Sequence, residues 1–108
     1  MRHALCLIVL AASACAAAPT FADFETAVGL SPRQVEKEVG PPHSTERIEK
    51  IEGQFWFGPI EDILNRVEVG TVVTTWYYPV KEGRAHVFFT GDSSVVRWVR
   101  LEPEGVVY

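Results

Sequence analysis

Cysteine and histidine are scarce in this chain. Its 108 residues include two cysteines, Cys6 and Cys15, and none follows Cys15, so the remaining 93 residues can form no disulfide and offer no thiol chemistry. The three histidines are His3, His43 and His86. No cysteine or histidine lies at metal-ligand spacing from the last two. We therefore expect both to be surface residues, and we expect no metal.

Motifs for catalysis are also missing. The stretch 89–93 superficially resembles the Gly-Asp-Ser block of a serine hydrolase family, whose serine needs a later aspartate and histidine. The 15 residues after Ser93 contain neither, so we predict a turn there. No glycine-rich phosphate loop occurs. The sequence gives no support for an enzyme, a cofactor or a small-molecule substrate.

Basic charge is in deficit. The chain has ten basic and 14 acidic side chains, a net charge of −4. All 14 acidic residues follow Ala22, with nine of the basic ones, which leaves that part at −5. A nucleic-acid-binding protein would show the opposite balance, so this class is not expected. Most of these charges are expected to form an ordinary solvated surface.

The N-terminus has the pattern of a secretory signal peptide. Arg2 and His3 precede an apolar run, Ala4–Ala12, which is too short to span a bilayer. Cleavage before Asp23 is the favoured interpretation, with residues 1–22 as the signal and 23–108 as a single domain.

A second cleavage site is left open. The sequence Ala-Ser-Ala-Cys at 12–15 resembles a bacterial lipobox. Residues 1–14 would then be the signal, and an acylated Cys15 would attach the domain to a membrane. In either case we predict an exported protein.

Local signals predict two short helices. Ser31 is a good N-cap, Gln34 completes a capping box, and Gly40 can end a helix over residues 32–39. Residues 59–67 carry apolar side chains on one helical face. Helices this short need another apolar surface for stability.

Strand signals fill the last third of the chain. Residues 71–78, 84–90 and 94–101 are rich in β-branched and aromatic side chains and are separated by turns. Residues 45–51 are compatible with a strand or a short helix. The predicted fold is α+β, a two-layer sandwich with short helices on one face of a three-stranded antiparallel meander.

The turns suggest a pairing register for the three strands, in which Tyr78 lies opposite Ala85 and Thr90 lies opposite Val95. Alternation then assigns the more apolar face to the helices. This face is predicted to carry Val72, Thr74, Trp76, Tyr78, Ala85, Val87, Phe89, Val96, Trp98 and Arg100. The other face would carry Val73, Thr75, Tyr77, Arg84, His86, Phe88, Thr90, Val95, Arg97 and Val99.

Two candidate binding surfaces follow from these patterns. On the second face, the partner-binding candidates are Tyr77, His86, Phe88 and Arg97, which would form one contiguous patch. In the alternative, the segment between Gly40 and Gly70 folds over that face and buries Phe88 as a second core. For the aromatic run 55–57, core packing is favoured, and a partner-binding patch is the alternative.

Several motifs together resemble the SmpA/OmlA (BamE-like) family. The motifs that carry the resemblance are Gly29-Leu30-Ser31, Val35, Val39-Gly40-Pro41-Pro42, Trp76-Tyr77-Tyr78, Val87-Phe88-Phe89 and Val95-Val96. The resemblance implies a two-layer α/β domain in the Gram-negative periplasm, usually lipid-anchored to the outer membrane. A similar fold serves in β-lactamase inhibitor proteins.

The resemblance implies a non-enzymatic function. The expected role is a periplasmic scaffold or adaptor that binds an outer-membrane protein or complex, in β-barrel assembly or envelope integrity. The alternative is a soluble periplasmic inhibitor of a cell-wall or hydrolytic enzyme. Both require a protein partner in the bacterial envelope.

Overall fold

The computed structural model describes residues 19–91 and 94–105. These residues form an α+β domain with a four-stranded antiparallel sheet and three short helices, which confirms the predicted fold at this level. The elements are α1 (Ala22–Glu25), α2 (Pro32–Val39), β1 (Ser44–Glu49), α3 (Pro59–Leu64), β2 (Val72–Val80), β3 (Gly83–Thr90) and β4 (Trp98–Pro103). Cys15, with the predicted signal up to residue 18, lies outside the described residues, as do Asp92 and Ser93.

The prediction of a three-stranded sheet is wrong, because Ser44–Glu49, in the region compatible with a strand or a short helix, forms a fourth strand. β1 pairs antiparallel with β2, beginning with Ser44 opposite Tyr77. The strand order is β1-β2-β3-β4, so β1 lies at an edge. Ile48 is buried, whereas Ile51 is 54% exposed, so the spacing of three between them does not mark one helical face.

The hairpin between β2 and β3 is tighter than predicted. β2 continues past Tyr78 to Val80, which pairs with Gly83 across a two-residue turn. Pro79 lies beyond the end of β1, where β2 has a single neighbouring strand and proline is tolerated. Gly83 has φ +149°, and a Cβ there would lie 2.7 Å from the backbone nitrogen of Glu104. Close backbone approach therefore requires glycine at this turn.

The register is confirmed for one strand pair and wrong for the next. Tyr78 lies opposite Ala85, as predicted. Between β3 and β4, Phe88 lies opposite Trp98, whereas the predicted register would place it opposite Arg97. The Arg97 N–H also donates to the Phe88 carbonyl at 2.9 Å. Two consecutive residues therefore face Phe88, which is the arrangement of a β-bulge.

This bulge reverses the predicted faces of the last strand. Val96 and Val99 both contact the core under the helices, although two residues separate them. Strict alternation would send them to opposite faces. Trp98 and Arg100 consequently lie on the face away from α1 and α2, and Leu101 joins the helix side.

Helices α1 and α2 cover what we call the inner face of the sheet. Trp76 packs there as predicted, with its ring centroid 5.0 Å from that of Phe89 in an edge-to-face contact. The buried residues of this inner core are Phe24, Ala27, Val35, Tyr78, Val80, Ala85, Val87, Phe89, Val96 and Val99.

Helix α2 has the predicted bounds and the predicted capping box. Ser31 Oγ accepts from the Gln34 N–H at 3.2 Å, and Gln34 Oε1 accepts from the Ser31 N–H at 2.9 Å. Gly40, the C-cap, has φ +92° and ψ 178°, a conformation that is essentially restricted to glycine. The Tyr78 hydroxyl donates to the Gly40 carbonyl at 2.9 Å and ties the helix end to the sheet.

A second core lies on the opposite face, called the outer face. Its buried members are Ile48, Ile63, Leu64, Val73 and Phe88, with Trp56, Ile60, Val67 and Trp98 packed against them. Helix α3 begins at the predicted Pro59 but ends at Leu64, three residues earlier than expected. The prediction that the short helices share one face of the sheet is wrong, because α3 packs Ile63 and Leu64 on the outer face. The alternative in which the segment between Gly40 and Gly70 buries Phe88 is confirmed.

Residues at the predicted end of the signal peptide contact the domain. The Pro19 carbonyl accepts from the Lys81 N–H at 3.0 Å, and the Phe21 N–H donates to Glu82 Oε1 at 3.0 Å. Phe21 is half-buried against the inner core. Cleavage before Asp23 would remove these contacts, whereas cleavage before Cys15 would keep them.

A protein that starts at Ala16 should be more stable than one that starts at Asp23. Half-burial of Phe21 is worth about 1 kcal/mol, since full burial of such a side chain gives about 1.5–3 kcal/mol. The longer protein should melt about 4–8 °C higher in thermal denaturation. Phe21→Ala in the longer protein is the matched control and should account for most of the difference. Equal melting temperatures would show that this contact does not stabilise the domain.

Candidate functional site

The four predicted partner-binding residues do not form one open patch. Tyr77 lies opposite His86, with ring centroids 4.7 Å apart, as predicted. However, Phe88 is completely buried and His86 is 5% exposed. The exposed Arg97 stacks over Trp98, with its guanidinium carbon 4.6 Å from the ring centroid. The contiguous patch is therefore wrong, and partner binding by Tyr77 and Arg97 stays a prediction.

His86 belongs to a polar network that links all four strands, so its assignment as a surface residue is wrong. Its Nε2 lies 3.0 Å from Glu102 Oε1 on β4. The same oxygen accepts from Arg84 Nη2 at 2.9 Å and Nε at 3.1 Å. The Arg84 guanidinium lies 4.6 Å from the ring centroid of Tyr77, whose hydroxyl donates to Glu46 at 2.6 Å.

Burial and pairing set the charges in this network. Burial lowers the pKa of His86, although Glu102 partly opposes this effect. Burial alone would raise the pKa of Glu102, but bonds from His86 and Arg84 outweigh it and hold the pKa below its usual value. His86 is thus neutral and donates from Nε2, while its buried Nδ1 has no partner within the described structure. Burial and the neighbouring Glu46 raise the pKa of Tyr77.

A second ionic contact fastens α3 to the sheet. Arg100 Nε donates to Asp62 Oδ2 at 3.0 Å, and Arg66 contacts the other carboxylate oxygen of Asp62 at 3.3 Å. Burial raises the pKa of Asp62, but the two arginines outweigh it and hold the pKa below its usual value. Asp62, Arg66 and Arg100 are therefore bonded to one another, and the Asp62–Arg100 contact fastens α3 to β4.

The most exposed large apolar side chains of the described residues lie on the aromatic loop, which we define as residues 50–58. Phe55 is 89% exposed and Phe57 is 71% exposed, while Trp56 between them packs on the outer core. Consecutive side chains of an extended segment point to opposite sides, so burying the middle ring exposes its neighbours. The two interpretations of this run each hold for part of it: Trp56 is core, and the phenylalanines are surface.

The ends of the aromatic loop are fixed by backbone geometry and one side chain. Lys50 Nζ donates to the Val67 carbonyl at 2.8 Å. At the other end, Gly58 has φ +83° and ψ −162°, a conformation that favours glycine. The Gly58 carbonyl accepts from the Glu61 N–H of α3 at 3.0 Å. The phenylalanines are thus displayed by a loop that is bonded at both ends and packed at Trp56.

A cleft of about 240 Å³ lies between the aromatic loop and α3, and we call it the outer cleft. Its lining residues are Lys50, Ile51, Gln54, Phe55, Trp56, Glu61, Leu64 and Asn65. Leu64 is buried and Trp56 half-buried, whereas Ile51 and Phe55 are exposed. Four apolar and four polar side chains line the cleft, so it offers apolar contact and hydrogen-bonding groups together.

Sequence reasoning singled out the aromatic run but missed the cleft and the ionic network. The three consecutive aromatics are a local signal. By contrast, His86 and Glu102 are 16 residues apart, and they meet through the register between β3 and β4. Glu61 of the cleft gave no local signal beyond its place in a predicted helix.

Comparisons with protein-family models, curated protein sequences and solved structures gave no match for this chain. Among residues 19–91 and 94–105, no helix has the length and apolar content of a membrane span, and the longest helix has eight residues.

Stability should fall on mild acidification because of His86. Its folded pKa lies below its ordinary value of 6.5, so the unfolded chain binds more protons just below pH 6.5. The contribution of His86 to the free energy of unfolding is therefore present above pH 6.5 and is lost as the pH falls below it. Urea denaturation at pH 7.5 and 5.5 should show a smaller pH effect in His86→Gln than in wild type. His43→Gln, at an exposed position, is the matched control. A His86→Gln protein with the same pH effect as wild type would contradict the prediction.

Substitutions in the aromatic loop should show which of its aromatic side chains stabilise the fold. Phe55→Ser and Phe57→Ser should change the free energy of unfolding by less than about 0.5 kcal/mol, as exposed positions do. Trp56→Ala should lower it by about 2 kcal/mol, because it uncovers the outer core. Denaturant titration of the three variants measures these changes in the free energy of unfolding. A phenylalanine variant as unstable as Trp56→Ala would show that its ring is packed.

Proposed function

We propose that this protein is a non-enzymatic scaffold or adaptor of the bacterial envelope, of the SmpA/OmlA (BamE-like) kind. It is exported to the periplasm and holds an outer-membrane protein or complex, in β-barrel assembly or envelope integrity. The partner contacts Phe55 and Phe57 on the aromatic loop.

The observation that carries this proposal is the display of two phenylalanines on a fixed loop. An exposed aromatic ring is costly in water, and a cluster of exposed apolar side chains commonly marks an interaction site. The packing of Trp56 and the bond from the Glu61 N–H to the Gly58 carbonyl hold the loop before binding, which reduces the entropy lost on association. Aromatic side chains are also enriched in protein interfaces.

The N-terminal sequence supports an envelope location. Residues 1–14 have the signal-peptide pattern, and Cys15 follows an Ala-Ser-Ala sequence. Cleavage before Cys15 preserves the packing of Phe21 on the inner core, which favours the membrane-attached adaptor. An acylated Cys15 in the mass spectrum of the mature N-terminus is the result expected, and a mature chain that begins at Asp23 would favour the soluble inhibitor.

Site-specific photo-crosslinking in the cells that produce the protein tests partner binding. A photoreactive amino acid at position 57 should crosslink to an outer-membrane protein, because Phe57 is 71% exposed and displayed by the aromatic loop. Position 28 is the matched control, since Val28 is 53% exposed and precedes α2, which covers the inner face.

The crosslink from position 57 should be lost when Phe55→Ser is added. Equal crosslinking from positions 28 and 57, or a crosslink that is indifferent to Phe55→Ser, would contradict docking through the aromatic loop.

A further inference from the structure

We infer that the outer cleft, together with Phe55 and Phe57, receives a protein segment that has an apolar anchor side chain beside a lysine or arginine. This inference rests on the proposed function and specifies the chemistry of the partner. The anchor occupies the cleft, and the cation pairs with Glu61 at its edge.

The apolar part of the recognition comes from the cleft walls. Leu64 is 4% exposed and belongs to the outer core, against which Trp56 packs. Ile51 and Phe55, which are 54% and 89% exposed, flank the opening. The volume of about 240 Å³ is large enough for one aromatic or branched aliphatic side chain and too small for a second folded element.

The charges around the cleft favour a cationic neighbour to that anchor. Glu61 is exposed and makes no ion pair with any described residue. Glu52, next to Ile51, is also exposed and unpaired within the described structure. The ammonium of Lys50 is bonded to the Val67 carbonyl, and Arg66 is bonded to Asp62. Lys50 keeps its positive charge, because a carbonyl is neutral, but its ammonium is directed to Val67. Two carboxylates, Glu52 and Glu61, are not paired within the described structure.

The position of the cleft favours a protein over a lipid surface. The aromatic loop leaves β1 at Lys50, whose N–H donates to Thr71 at the start of β2. The described residues begin at Pro19, whose carbonyl accepts from the Lys81 N–H just past the end of β2. The nine residues of β2 separate these points, a length of roughly 33 Å at ~3.3 Å per residue step. Pro19, the first described residue, thus lies at the end of β2 remote from the aromatic loop.

The same carboxylates oppose binding to an anionic bilayer. Peripheral binding to such surfaces relies on clusters of lysine and arginine, which attract acidic headgroups. Glu52 and Glu61 beside the two phenylalanines would instead be repelled.

A random-peptide display library, selected on the mature exported protein, tests the inference. Selected peptides should share an aromatic or branched aliphatic residue next to lysine or arginine. Synthetic copies should bind Phe55→Ser about tenfold more weakly, as for loss of an interface anchor. Glu61→Lys should weaken binding by about threefold or more, since the pair is exposed. Glu104→Lys, an exposed acidic position near the end of β4, is the matched control and should bind normally.

The possible failures point to different conclusions. Acidic or uncharged peptides that require Phe55 would overturn the cationic partner but leave the proposed function intact. An absence of any peptide that depends on Phe55 or Phe57 would contradict both. Vesicles of phosphatidylcholine and phosphatidylglycerol should not bind the protein, and binding that is lost in Phe55→Ser would replace the protein partner with a membrane.

Discussion

Phe88 lies at the centre of the outer face of the sheet, and its ring must be kept from water. The helices that precede β1 cannot do this, because they cover the inner face. The segment between β1 and β2 therefore crosses the outer face and supplies Trp56 and the two buried residues of α3. Asp62 bonds Arg100 and fixes this cover to β4. The sheet is thus enclosed between two small cores, which compensates for helices too short to be stable alone.

The two parts of the outer face are closed in different ways. Next to Phe88 the sheet is covered by apolar side chains, and this cover ends in the aromatic loop. On the other side of Phe88, His86 and Arg84 bond instead to the carboxylate of Glu102. The Arg84–Glu102 pair is partly exposed to solvent, so it contributes little stability, at most about 1 kcal/mol. The exposure of Phe55 and Phe57 is a consequence of the apolar cover, because a run of residues that turns Trp56 toward the core turns its neighbours toward solvent. Core formation and the proposed docking surface therefore share one loop.

The sequence predicted those features that depend on neighbouring residues. The bounds of α2 follow from Ser31 and Gly40, and local turn signals led to the correct pairing of β2 with β3. The position of β4 was not predictable in the same way, because one extra residue in a bulge reverses every side chain beyond it. The His86 network depends on that same register. The segment that forms β1 had an ambiguous local pattern, and its state is decided by pairing with β2.

Solvent exposure of individual phenylalanines tests the central claim most directly. The protein has six phenylalanines, and fluorophenylalanine labelling gives each a separate fluorine NMR signal. Addition of a soluble gadolinium chelate should broaden the signals of Phe55 and Phe57, which are 89% and 71% exposed, and leave Phe88 sharp. Broadening of Phe88 to the same extent would contradict a closed outer core. Sharp signals from Phe55 and Phe57 would contradict the display of a docking surface.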